Sequence, residues 1–593
     1  MQDEGLIYTN ENCIGCNKCV GVCSSMGACI SQREGGRRRI AVDPLRCTAC
    51  GACFTVCAHD ARSYTDDTHR FFRDLAAGVP ISVLLSPTIE AELPASYRRI
   101  LGALRILGVR HLLPVAFGAD IYTWAALRYL KEHPGMGLIS SRCPVIVSYI
   151  EHSHPELLPH LLPIQSPMMC MAHYARRRLY ITDRLAYVGT CIGKALEQYH
   201  DGHFEVVTYN ITLQSLMKYL RAHGLGDATS EEDIDYGLGI AYPTPHGLAT
   251  NLRWFLGDDM YVRSVSGKRY AYRWLERNAD GLLRGALPFS LIDITNCQDG
   301  CLEGTANDPG CNDHDQAYYA MLSRMRERET RDEAGPWSKR ILPGERLELF
   351  NERFAGLHPE DYHRTYKDRS AQCQDWTPSQ EEADAIYDSL HKYDEASRHI
   401  DCAACGYDTC ESMVRAIYNG FNDVHSCIHY EQAEAHRLEK LSLYDEMTCV
   451  RSHNAYLLAS EYGSGLAPAG TIFLMADVNG LKRANDTLGH AEGDRLLKTA
   501  ARELAAALGK DHVYRIGGDE FAAFTTELPE DAAEAFAKDI QQKLEAENVS
   551  VAFGLARPAS GKTSYKDLQA EADRAMYKDK IACYARMGWK PRE

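Results

Sequence analysis

The sequence predicts a multidomain α/β protein that carries two cysteine-rich segments. At 593 residues the chain is too long for one hydrophobic core, and its length indicates roughly three to five domains. Apolar runs such as Ile81–Leu85 and Leu185–Val188 alternate with helical stretches, and strands and helices alternate again from residue 445 onward. Most of the 22 cysteines lie in tight groups at two- and three-residue spacings, which is the pattern of metal ligands.

Composition and charge disfavour several classes of protein. The net charge of −16 argues against nucleic acid as the main partner, because binding a polyanion needs a basic face. No apolar run reaches the roughly 18 residues of a membrane span, and the start, Met-Gln-Asp-Glu-Gly, lacks the basic and apolar regions of a signal peptide. We therefore expect no membrane partner and a cytoplasmic location, where structural disulfides are rare.

Changes in composition along the chain predict six segments. These are a cysteine-dense domain at 1–66, an α/β body at 75–320, a charged helical connector of surface helices at 321–395, a small cysteine module at 396–430, a helical linker at 431–444 and an α/β domain at 445–593. Around the linker, Ile428, Ala435, Leu438 and Leu441 follow spacings of seven and three, which suit a short two-helix seam.

Two cysteine motifs near the start repeat one spacing: Cys13-x2-Cys16-x2-Cys19-x3-Cys23 and Cys47-x2-Cys50-x2-Cys53-x3-Cys57. Three cysteines on a tight loop can hold three irons of a cubane, and the fourth ligand comes from the other motif. We expect one [4Fe–4S] cluster on Cys13, Cys16, Cys19 and Cys57, and another on Cys47, Cys50, Cys53 and Cys23. The region resembles bacterial two-cluster ferredoxins. The alternative, two structural zinc sites, does not need eight ligands at this spacing.

Four further cysteines lie in three separated motifs: Ser141-Arg142-Cys143-Pro144, Gly189-Thr190-Cys191-Ile192-Gly193-Lys194 and Cys297-Gln-Asp-Gly-Cys301. Four thiolates that converge from distant strand ends could hold one more cubane. With Ser86-Pro87, Gly118-Ala119-Asp120 and Ser166-Pro167 in this order, the motifs resemble the large domain of [FeFe] hydrogenases over roughly residues 75–320.

That resemblance implies a [4Fe–4S] cluster on Cys143, Cys191, Cys297 and Cys301, the last of which bridges to a catalytic di-iron unit. It places Lys194 where the family keeps a lysine that hydrogen-bonds a cyanide ligand of this unit. Arg142 stands where the family has its proton-shuttling cysteine, and a guanidinium with a pKa above about 12 cannot relay protons at neutral pH. Rapid hydrogen turnover is therefore not expected, and whether the di-iron unit of the H-cluster is bound stays open.

A third group of cysteines precedes the linker: Cys402, Cys405, Cys410 and Cys427. It resembles the small [4Fe–4S] domain found beside electron-transfer and sensory hydrogenase-like proteins. Four cysteines also suit zinc, and the resemblance favours an iron–sulfur cluster. The last cysteine is followed closely by a predicted helix, Tyr430–Leu443.

The C-terminal segment carries a group of carboxylates beside a glycine pair. An apolar strand, Ile472–Met475, ends at Asp477, and a second strand-turn-strand contains Gly517-Gly518-Asp519-Glu520-Phe521. The glycine pair predicts a two-residue hairpin with positive backbone dihedrals. Asp477, Asp519 and Glu520 would then lie on adjacent strands and share a divalent metal ion that activates a hydroxyl for attack on a phosphoryl group.

This segment resembles the GGDEF domain of diguanylate cyclases over its whole length, which implies a nucleotidyl-cyclase-like α/β fold. The resemblance assigns Mg²⁺ binding and catalysis to Asp477, Asp519 and Glu520, guanine recognition to Asn485 and Asp494, and phosphate contacts to Lys482 and Lys580. Three features depart from the family: Cys449, Ser452 and His453 alter the opening motif, Tyr584 replaces a phosphate-binding arginine, and Leu508 replaces the arginine of the product-inhibition motif that keeps Asp511.

The motifs together predict a redox- or hydrogen-responsive enzyme that condenses two GTP molecules to cyclic di-GMP. Each cyclase domain holds one GTP, so we expect a homodimer formed through the linker and cyclase domains, with hydrogen or an electron-transfer protein as the input. Two alternatives remain: a catalytically weak redox sensor that binds GTP, and a true [FeFe] hydrogenase, which Arg142 disfavours.

Overall fold

The fold is described from a computed structural model covering residues 5–199, 206–224, 226–257, 260–308, 310–311, 313–461, 466–526, 533–558 and 563–589. Its contacts divide the chain into two compact units, unit 1 at Met1–Ile428 and unit 2 at His429–Glu593. Within the described ranges, no helix is both long and apolar enough to cross a membrane.

Unit 1 contains eleven described strands and most of the helices. The strands are β1 Ile7–Thr9, β2 Cys29–Glu34, β3 Arg37–Val42, β4 Arg62–Tyr64, β5 Ile81–Leu85, β6 Leu112–Pro114, β7 Leu138–Ile139, β8 Arg184–Gly189, β9 Tyr209–Thr212, β10 Val262–Ser266 and β11 Leu291–Thr295. The helices are α1 Lys18–Gly21, α2 Ala52–Thr55, α3 Thr68–Ala76, α4 Thr88–Glu92, α5 Tyr97–Ile106, α6 Val115–Glu132, α7 Pro144–Ser153, α8 Pro167–Arg177, α9 Ala195–Tyr199, α10 Leu213–His223, α11 Gly247–Leu256, α12 Tyr270–Leu283, α13 His314–Arg331, α14 Pro343–Arg353, α15 Gln380–Ser389, α16 Glu395–Arg398 and α17 Cys410–Tyr418.

The N-terminal domain is built from two small antiparallel sheets, β1 with β4 and β2 with β3. In the first sheet Thr9 is opposite Arg62. Cys13 follows Thr9 by four residues and Cys57 precedes Arg62 by five, so the pairing brings both cysteines to one end of the domain. The sheet thereby places the first and last cysteines of the repeated motifs near each other, as the exchange of ligands between motifs requires.

The body contains two parallel sheets, with strand orders β6-β5-β8-β9 and β10-β11-β7. Every residue of β5 and β11 is buried, as expected for parallel strands covered on both faces. Three cysteine motifs follow the carboxyl ends of β7, β8 and β11. Ligand sites of parallel sheets form at these ends, which places the dispersed cysteines at one side of both sheets.

Two short motifs of the body fix helix α6 in place. A Cβ on Gly118 would lie 2.1 Å from the carbonyl oxygen of Pro167, so only glycine lets α6 and α8 approach this closely. Two residues later the buried carboxylate of Asp120 accepts hydrogen bonds from the backbone N–H groups of Gly237 and Gly239, at 2.6 and 2.8 Å. These contacts give Gly118-Ala119-Asp120 and Ser166-Pro167 a structural role.

The segment 321–395 differs from the predicted connector of surface helices. Met321, Met325, Trp337 and Phe350 are buried in the main core of the body. The prediction was wrong because charged residues dominate the composition of this segment, while the apolar residues that pack into the core are few and widely separated. The first half of this segment is therefore part of the body.

Unit 2 consists of one sheet with helices packed against it. Its strands are β12 Ile472–Val478, β13 Val513–Arg515, β14 Glu520–Thr525 and β15 Val551–Ala556. Its helices are α18 Ile428–Leu443, which begins at the last residue of unit 1, α19 His453–Glu461, α20 Leu481–Leu488, α21 His490–Leu508, α22 Ala533–Ala546 and α23 Tyr565–Arg586. The strand order is β13-β14-β12-β15, and the described pairs are antiparallel. All seven residues of β12 are buried, so the central strand holds Asp477 inside the domain.

Candidate functional sites

The four dispersed cysteines of the body meet in one cavity. The cavity is lined by Cys143, Cys191, Cys297 and Cys301 together with Arg142, Lys194 and Thr295. Burial raises the pKa of the Cys191 thiol to about 12, with smaller contributions from Cys301 and Cys143. The same two neighbours, with Cys191, also raise the pKa of Cys297, after burial. All four sulfurs therefore lie within electrostatic range of one another.

Lys194 reaches this cavity but is held by an ion pair. Its Nζ donates to Glu197 Oε2 at 2.9 Å and to Ser166 Oγ at 3.1 Å, and Ser166 Oγ donates to the same carboxylate oxygen. Arg364 approaches the other oxygen of Glu197 at 3.4 Å. The buried ammonium is thus neutralised and oriented by its surroundings. Its predicted contact to a cyanide ligand stays a prediction.

Arg142 forms a buried two-point ion pair in the position that the resemblance gives to a proton-shuttling cysteine. Its Nε and Nη2 donate to the two carboxylate oxygens of Asp293 at 2.7 and 3.2 Å, and its Nη1 donates to the carbonyl oxygen of Tyr242 at 2.7 Å. The side chain of Arg142 is 5% exposed and that of Asp293 is 0% exposed. A guanidinium fixed in this way has no free proton to exchange at neutral pH.

In the N-terminal domain, Cys23 lies close to cysteines of both motifs. Cys29 lowers the pKa of Cys23, burial opposes this shift, and Cys19 of its own motif also acts on it. Burial raises the pKa of Cys47, and Cys50, Cys23 and Cys53 add to this shift. Cys23 also raises the pKa of Cys50 and of Cys53. The assignment of Cys23 to the second cluster stays a prediction.

The first expected cluster set lies beside a buried arginine. Arg62 Nη2 is 2.9 Å from Cys19 Sγ and 3.6 Å from Cys29 Sγ. The Cys29 thiol lowers the pKa of Cys19 to about 6; burial opposes this shift and Arg62 adds to it. Backbone N–H groups point at two other sulfurs, from Ile40 to Cys13 at 3.4 Å and from Ala61 to Cys57 at 3.3 Å. Such donors stabilise thiolates.

The small module folds its cysteines around a tight loop. Burial raises the pKa of Cys405, and Cys427 and Cys402 contribute, so these three lie close together. Cys410 begins α17, where its backbone N–H donates to Asp401 Oδ1 at 2.6 Å. Its sulfur is 3.4 Å from Nζ of Lys392, a lysine that is 3% exposed. The donor set is four thiols with one buried cation beside it.

Among the residues that the structure describes, no three His, Cys, Asp or Glu side chains converge closely enough to hold one metal ion. A zinc site needs four ligands at about 2.0–2.3 Å from one point, whereas a cubane separates its four cysteine ligands by an iron–sulfur body.

In unit 2 the predicted catalytic carboxylates lie on adjacent strands. Asp477 on β12 is directly opposite Glu520 on β14, and the backbone N–H of Val478 donates to the carbonyl oxygen of Asp519 at 2.9 Å. Burial raises the pKa of Glu520, and Asp477, Asp519 and then Asp573 raise it further. Negative charge is thus concentrated at this end of the sheet.

Lys580 occupies one side of this site. Its Nζ donates to Asp477 Oδ2 at 2.6 Å. Burial raises the pKa of Asp477, and Lys580 opposes the shift. The other oxygen, Asp477 Oδ1, is buried without a hydrogen-bond partner among the described residues. An orphaned carboxylate oxygen next to two further acids fits a hard divalent cation such as Mg²⁺.

The glycine pair does not form the predicted two-residue hairpin. Neither Gly517 nor Gly518 has a positive φ angle, and the backbone N–H of Ile516 donates to the carbonyl oxygen of Glu520, which leaves three residues at the tip. At Gly517 the absence of a side chain leaves space for the Glu520 carboxylate, whereas Gly518 faces open space. A Cβ on Gly517 would lie 2.7 Å from Glu520 Oε2, and none of the described atoms lies within 4 Å of a Cβ on Gly518.

The residues predicted to read the guanine lie at the α20–α21 corner. A Cβ on Gly493 would lie 2.0 Å from Asn485 Oδ1, so the glycine makes room for the amide next to half-buried Asp494. Lys482 is exposed at the start of α20. Tyr584, one turn after Lys580 on α23, is close enough to affect the pKa of that lysine. The tyrosine therefore lies beside Lys580.

Sequence reasoning missed two residues of this site. Asp573 adds a fourth carboxylate, and its seven-residue spacing from Lys580 on α23 was an available signal. Arg515 donates from Nη2 to the carbonyl oxygen of Gly518 at 2.8 Å and from Nη1 to Asp445 Oδ1 at 3.1 Å. It ties the hairpin tip to the start of the domain.

Comparisons with protein families agree with this geometry. Residues 12–61 match the 4Fe-4S dicluster domain, 79–247 the C-terminal domain of the iron-only hydrogenase large subunit, 399–429 an Fe-S cluster family and 442–583 the GGDEF domain of diguanylate cyclases. The chain is thus a fusion of two iron–sulfur modules and a hydrogenase-like domain with a GGDEF domain. The predicted multidomain α/β fold is confirmed. The hydrogenase match includes Cys143 and Cys191 and ends before Cys297.

Individual relatives resemble parts of the chain. Diguanylate cyclase A of Treponema denticola is 28% identical over 160 residues, and diguanylate cyclase DgcM of Escherichia coli K12 is 30% identical over 168 residues. These matches cover 24% and 26% of this chain and only 43% and 41% of the relatives' own length. A solved [FeFe]-hydrogenase HydA1 of Chlamydomonas reinhardtii aligns with 51% of this chain and 100% of its own, at 14% identity and a TM-score of 0.40.

We predict that removing one partner of the Arg142–Asp293 ion pair destabilises unit 1 more than removing both partners does. Arg142→Met alone or Asp293→Leu alone should destabilise unit 1 by about 3–5 kcal/mol, because each leaves an unpaired buried charge. The double variant should recover most of this loss. Thermal unfolding followed by tryptophan fluorescence reports on unit 1, since all the tryptophans except Trp589 lie there. Additive losses in the double variant would contradict the explanation.

Proposed function

We propose that the protein is a redox- or hydrogen-responsive diguanylate cyclase that condenses two GTP molecules to cyclic di-GMP. The observation that supports it most is the carboxylate site of unit 2, where Asp477 faces Glu520 across adjacent strands and keeps one buried oxygen without a partner. With Asp519 these groups would hold Mg²⁺, which polarises the phosphoryl group and activates the 3′-hydroxyl. Asn485 and Asp494 would bind guanine, and Lys482 and Lys580 would contact phosphates.

The same proposal assigns the input to unit 1. We infer four [4Fe–4S] clusters, two in the N-terminal domain, one in the body cavity and one in the small module. The segment boundaries predicted from the sequence remain part of this proposal, except that the first half of 321–395 is assigned to the body. Hydrogen or an electron-transfer protein would supply electrons, and the di-iron unit would occupy the body cavity beside Cys301 if it is bound.

A redox change is large enough to drive such a switch. Moving a two-state equilibrium from 1:99 to 99:1 takes about 5.5 kcal/mol of differential stability. For one-electron couples about 59 mV corresponds to about 1.4 kcal/mol. The cluster potentials must therefore differ between the two states by about 230 mV in total, or by about 60 mV each over four clusters. Protein surroundings shift cluster potentials over a much wider range.

The direct test is a cyclic di-GMP assay on the purified, cluster-loaded chain. The assay is run anaerobically with GTP and Mg²⁺ at a series of fixed potentials, with and without hydrogen. We expect product formation to change as the potential crosses the midpoint of at least one cluster. No product at any potential would refute the cyclase, and product that is independent of potential would refute the redox input.

A specific observation favours a second candidate, a GTP-binding sensor with weak catalysis. Tyr584 lies beside Lys580 where the family has a phosphate-binding arginine, so one charge-assisted contact to phosphate is missing. Such a contact contributes about 1.5–3 kcal/mol. The tyrosine hydroxyl can donate a hydrogen bond but brings no positive charge.

We therefore predict that Tyr584→Arg raises cyclase activity by roughly 10- to 100-fold, because the added contact stabilises the transition state. Tyr584→Lys should give a smaller gain, since an ammonium lacks the two-point geometry of a guanidinium. Tyr584→Phe is the control that adds no charge. Equal gains in the Phe and Arg variants would point to relief of crowding and contradict the role of charge. Activity only in the Arg variant would support the second candidate.

Dimer formation through the linker is the remaining part of the proposal. Helix α18 has no buried residue, and Ile428, Leu438 and Leu441 are 44%, 54% and 54% exposed, although they are apolar. Their spacing forms a stripe that a second copy of the helix would cover.

We predict that Leu438→Glu lowers both the dimer fraction and the cyclase activity by at least several-fold, because it places a charge in the seam. Ala433→Glu adds the same charge at an exposed position five residues earlier, outside the stripe, and should have little effect. Sedimentation velocity measures the dimer fraction and a cyclic di-GMP assay the activity. An active Leu438→Glu variant that remains dimeric would refute the seam.

A further inference from the structure

The small cysteine module packs directly on the N-terminal domain. Cys405, Tyr407 and Phe421 of the module are buried in one apolar core together with Cys19 and Cys29 of the N-terminal domain. Cys23 and Cys29 are near enough to Tyr407 to raise its pKa, after burial and Cys405. Two cysteine sets that are nearly 400 residues apart in the sequence therefore share one packed interior.

The chain segments that carry these cysteines touch backbone to backbone. Gly21 follows Cys19 by two residues, and Gly406 directly follows Cys405. A Cβ on Gly21 would lie 3.2 Å from the carbonyl oxygen of Gly406, and a Cβ on Gly406 would lie 2.9 Å from Cβ of Val20. The approach is closer than side chains would allow, so glycine at both positions brings the two ligand loops together.

A second set of contacts fixes the orientation of the module. The backbone N–H of Ser31 donates to the carbonyl oxygen of Phe421 at 2.9 Å. The Phe421 ring lies on Gly27, where an added Cβ would be 2.7 Å from a ring carbon, and Arg46 stacks over the ring at 4.6 Å. Arg46 also pairs with Asp375 at 2.6 Å. Hydrogen bonding and stacking thus hold the module in one docked geometry, and the ion pair joins Arg46 to the preceding segment.

We propose that this contact is an electron-exchange interface between the N-terminal domain and the small module. Cys13, Cys16, Cys19 and Cys57 would hold one [4Fe–4S] cluster, and Cys402, Cys405, Cys410 and Cys427 would hold another. Such a pair would exchange one electron, the donor cluster being oxidised from 1+ to 2+ as the acceptor is reduced from 2+ to 1+. No bond is formed or broken, and a low-potential one-electron donor supplies the electron. The proposal rests on the cluster-binding part of the proposed function and is independent of cyclase activity.

Charges on both sides of the contact suit reversible exchange. Arg62 donates to Cys19 Sγ on the N-terminal side, and Lys392 donates to Cys410 Sγ on the module side. Both cations are buried, at 7% and 3% exposure. A buried cation beside a ligand sulfur stabilises the reduced, more negative state of a cluster.

The test uses electron paramagnetic resonance of the full, cluster-loaded chain reduced with dithionite. Two nearby paramagnetic clusters broaden and split each other's signals, and this coupling falls steeply with distance. We expect Cys405→Ala, which removes the module cluster, to narrow the signals that remain from the N-terminal clusters, in addition to removing the module's own signal. Remaining signals of unchanged width and splitting would overturn the interface.

Gly21→Leu should reduce or abolish the coupling without removing iron, because its side chain would separate the two loops. Gly344→Leu is the matched control: this glycine lies in α14, also has no positive φ, and has no described atom within 4 Å of an added Cβ. If Gly21→Leu prevents assembly, Phe421→Ala removes the stacked ring and should weaken the coupling in the same direction. Coupling that is unchanged in assembled variants would overturn the interface.

Metal analysis distinguishes failure of the cluster assignment from failure of the electron-exchange interface. Iron and zinc contents are measured on the same samples. Zinc in the small module would overturn both the cluster assignment and the interface. A complete complement of iron with no coupling would overturn the interface alone and leave the redox-responsive cyclase standing.

Discussion

Burial of thiolates is the constraint on which unit 1 is built. A negative charge that leaves water is costly unless a cation, a metal or hydrogen-bond donors compensate for it. Most of the ligand cysteines are partly or fully buried, and burial is the largest cause that raises the pKa of Cys47, Cys191, Cys297 and Cys405. These four thiols therefore remain protonated without metal, and binding a cluster would release their protons and offset the burial with metal–sulfur bonds. The fold of unit 1 is therefore coupled to its cofactors.

Buried cations lie beside three of the cysteine sets for the same reason. Arg62 contacts Cys19, Lys392 contacts Cys410, and Arg142 lowers the pKa of Cys301 against the effect of burial. Each of these cations is 18 or more residues from the cysteine on which it acts. They come together only through strand pairing and domain contacts, so a spacing pattern cannot reveal them. The residues that set the electronic environment are thus harder to predict than the ligands themselves.

The fold and the site of unit 2 also contain features that the sequence predicts and features that it does not. Local patterns predicted what depends on local spacing: the cysteine repeats, the strand at Ile472, the helix that follows Cys427 and the carboxylates at the hairpin. Local patterns failed where the role of a residue depends on contacts with residues that are distant in the sequence. Gly517 leaves space for the Glu520 carboxylate and does not set a turn type, and Met321 and Phe350 of a charged segment are buried in the body core.

Arg515 and Asp573 were missed because their roles depend on the sheet and on α23, which only the assembled domain brings together.

The ion pair between Lys580 and Asp477 has a consequence for how the chain matures. Because the lysine already compensates one oxygen of the buried acid, unit 2 supplies a counter-charge at this position from its own chain. The buried thiols of unit 1 instead gain most of their compensation when metal replaces their protons. When iron is scarce, we therefore expect unit 1 to lose more stability than unit 2.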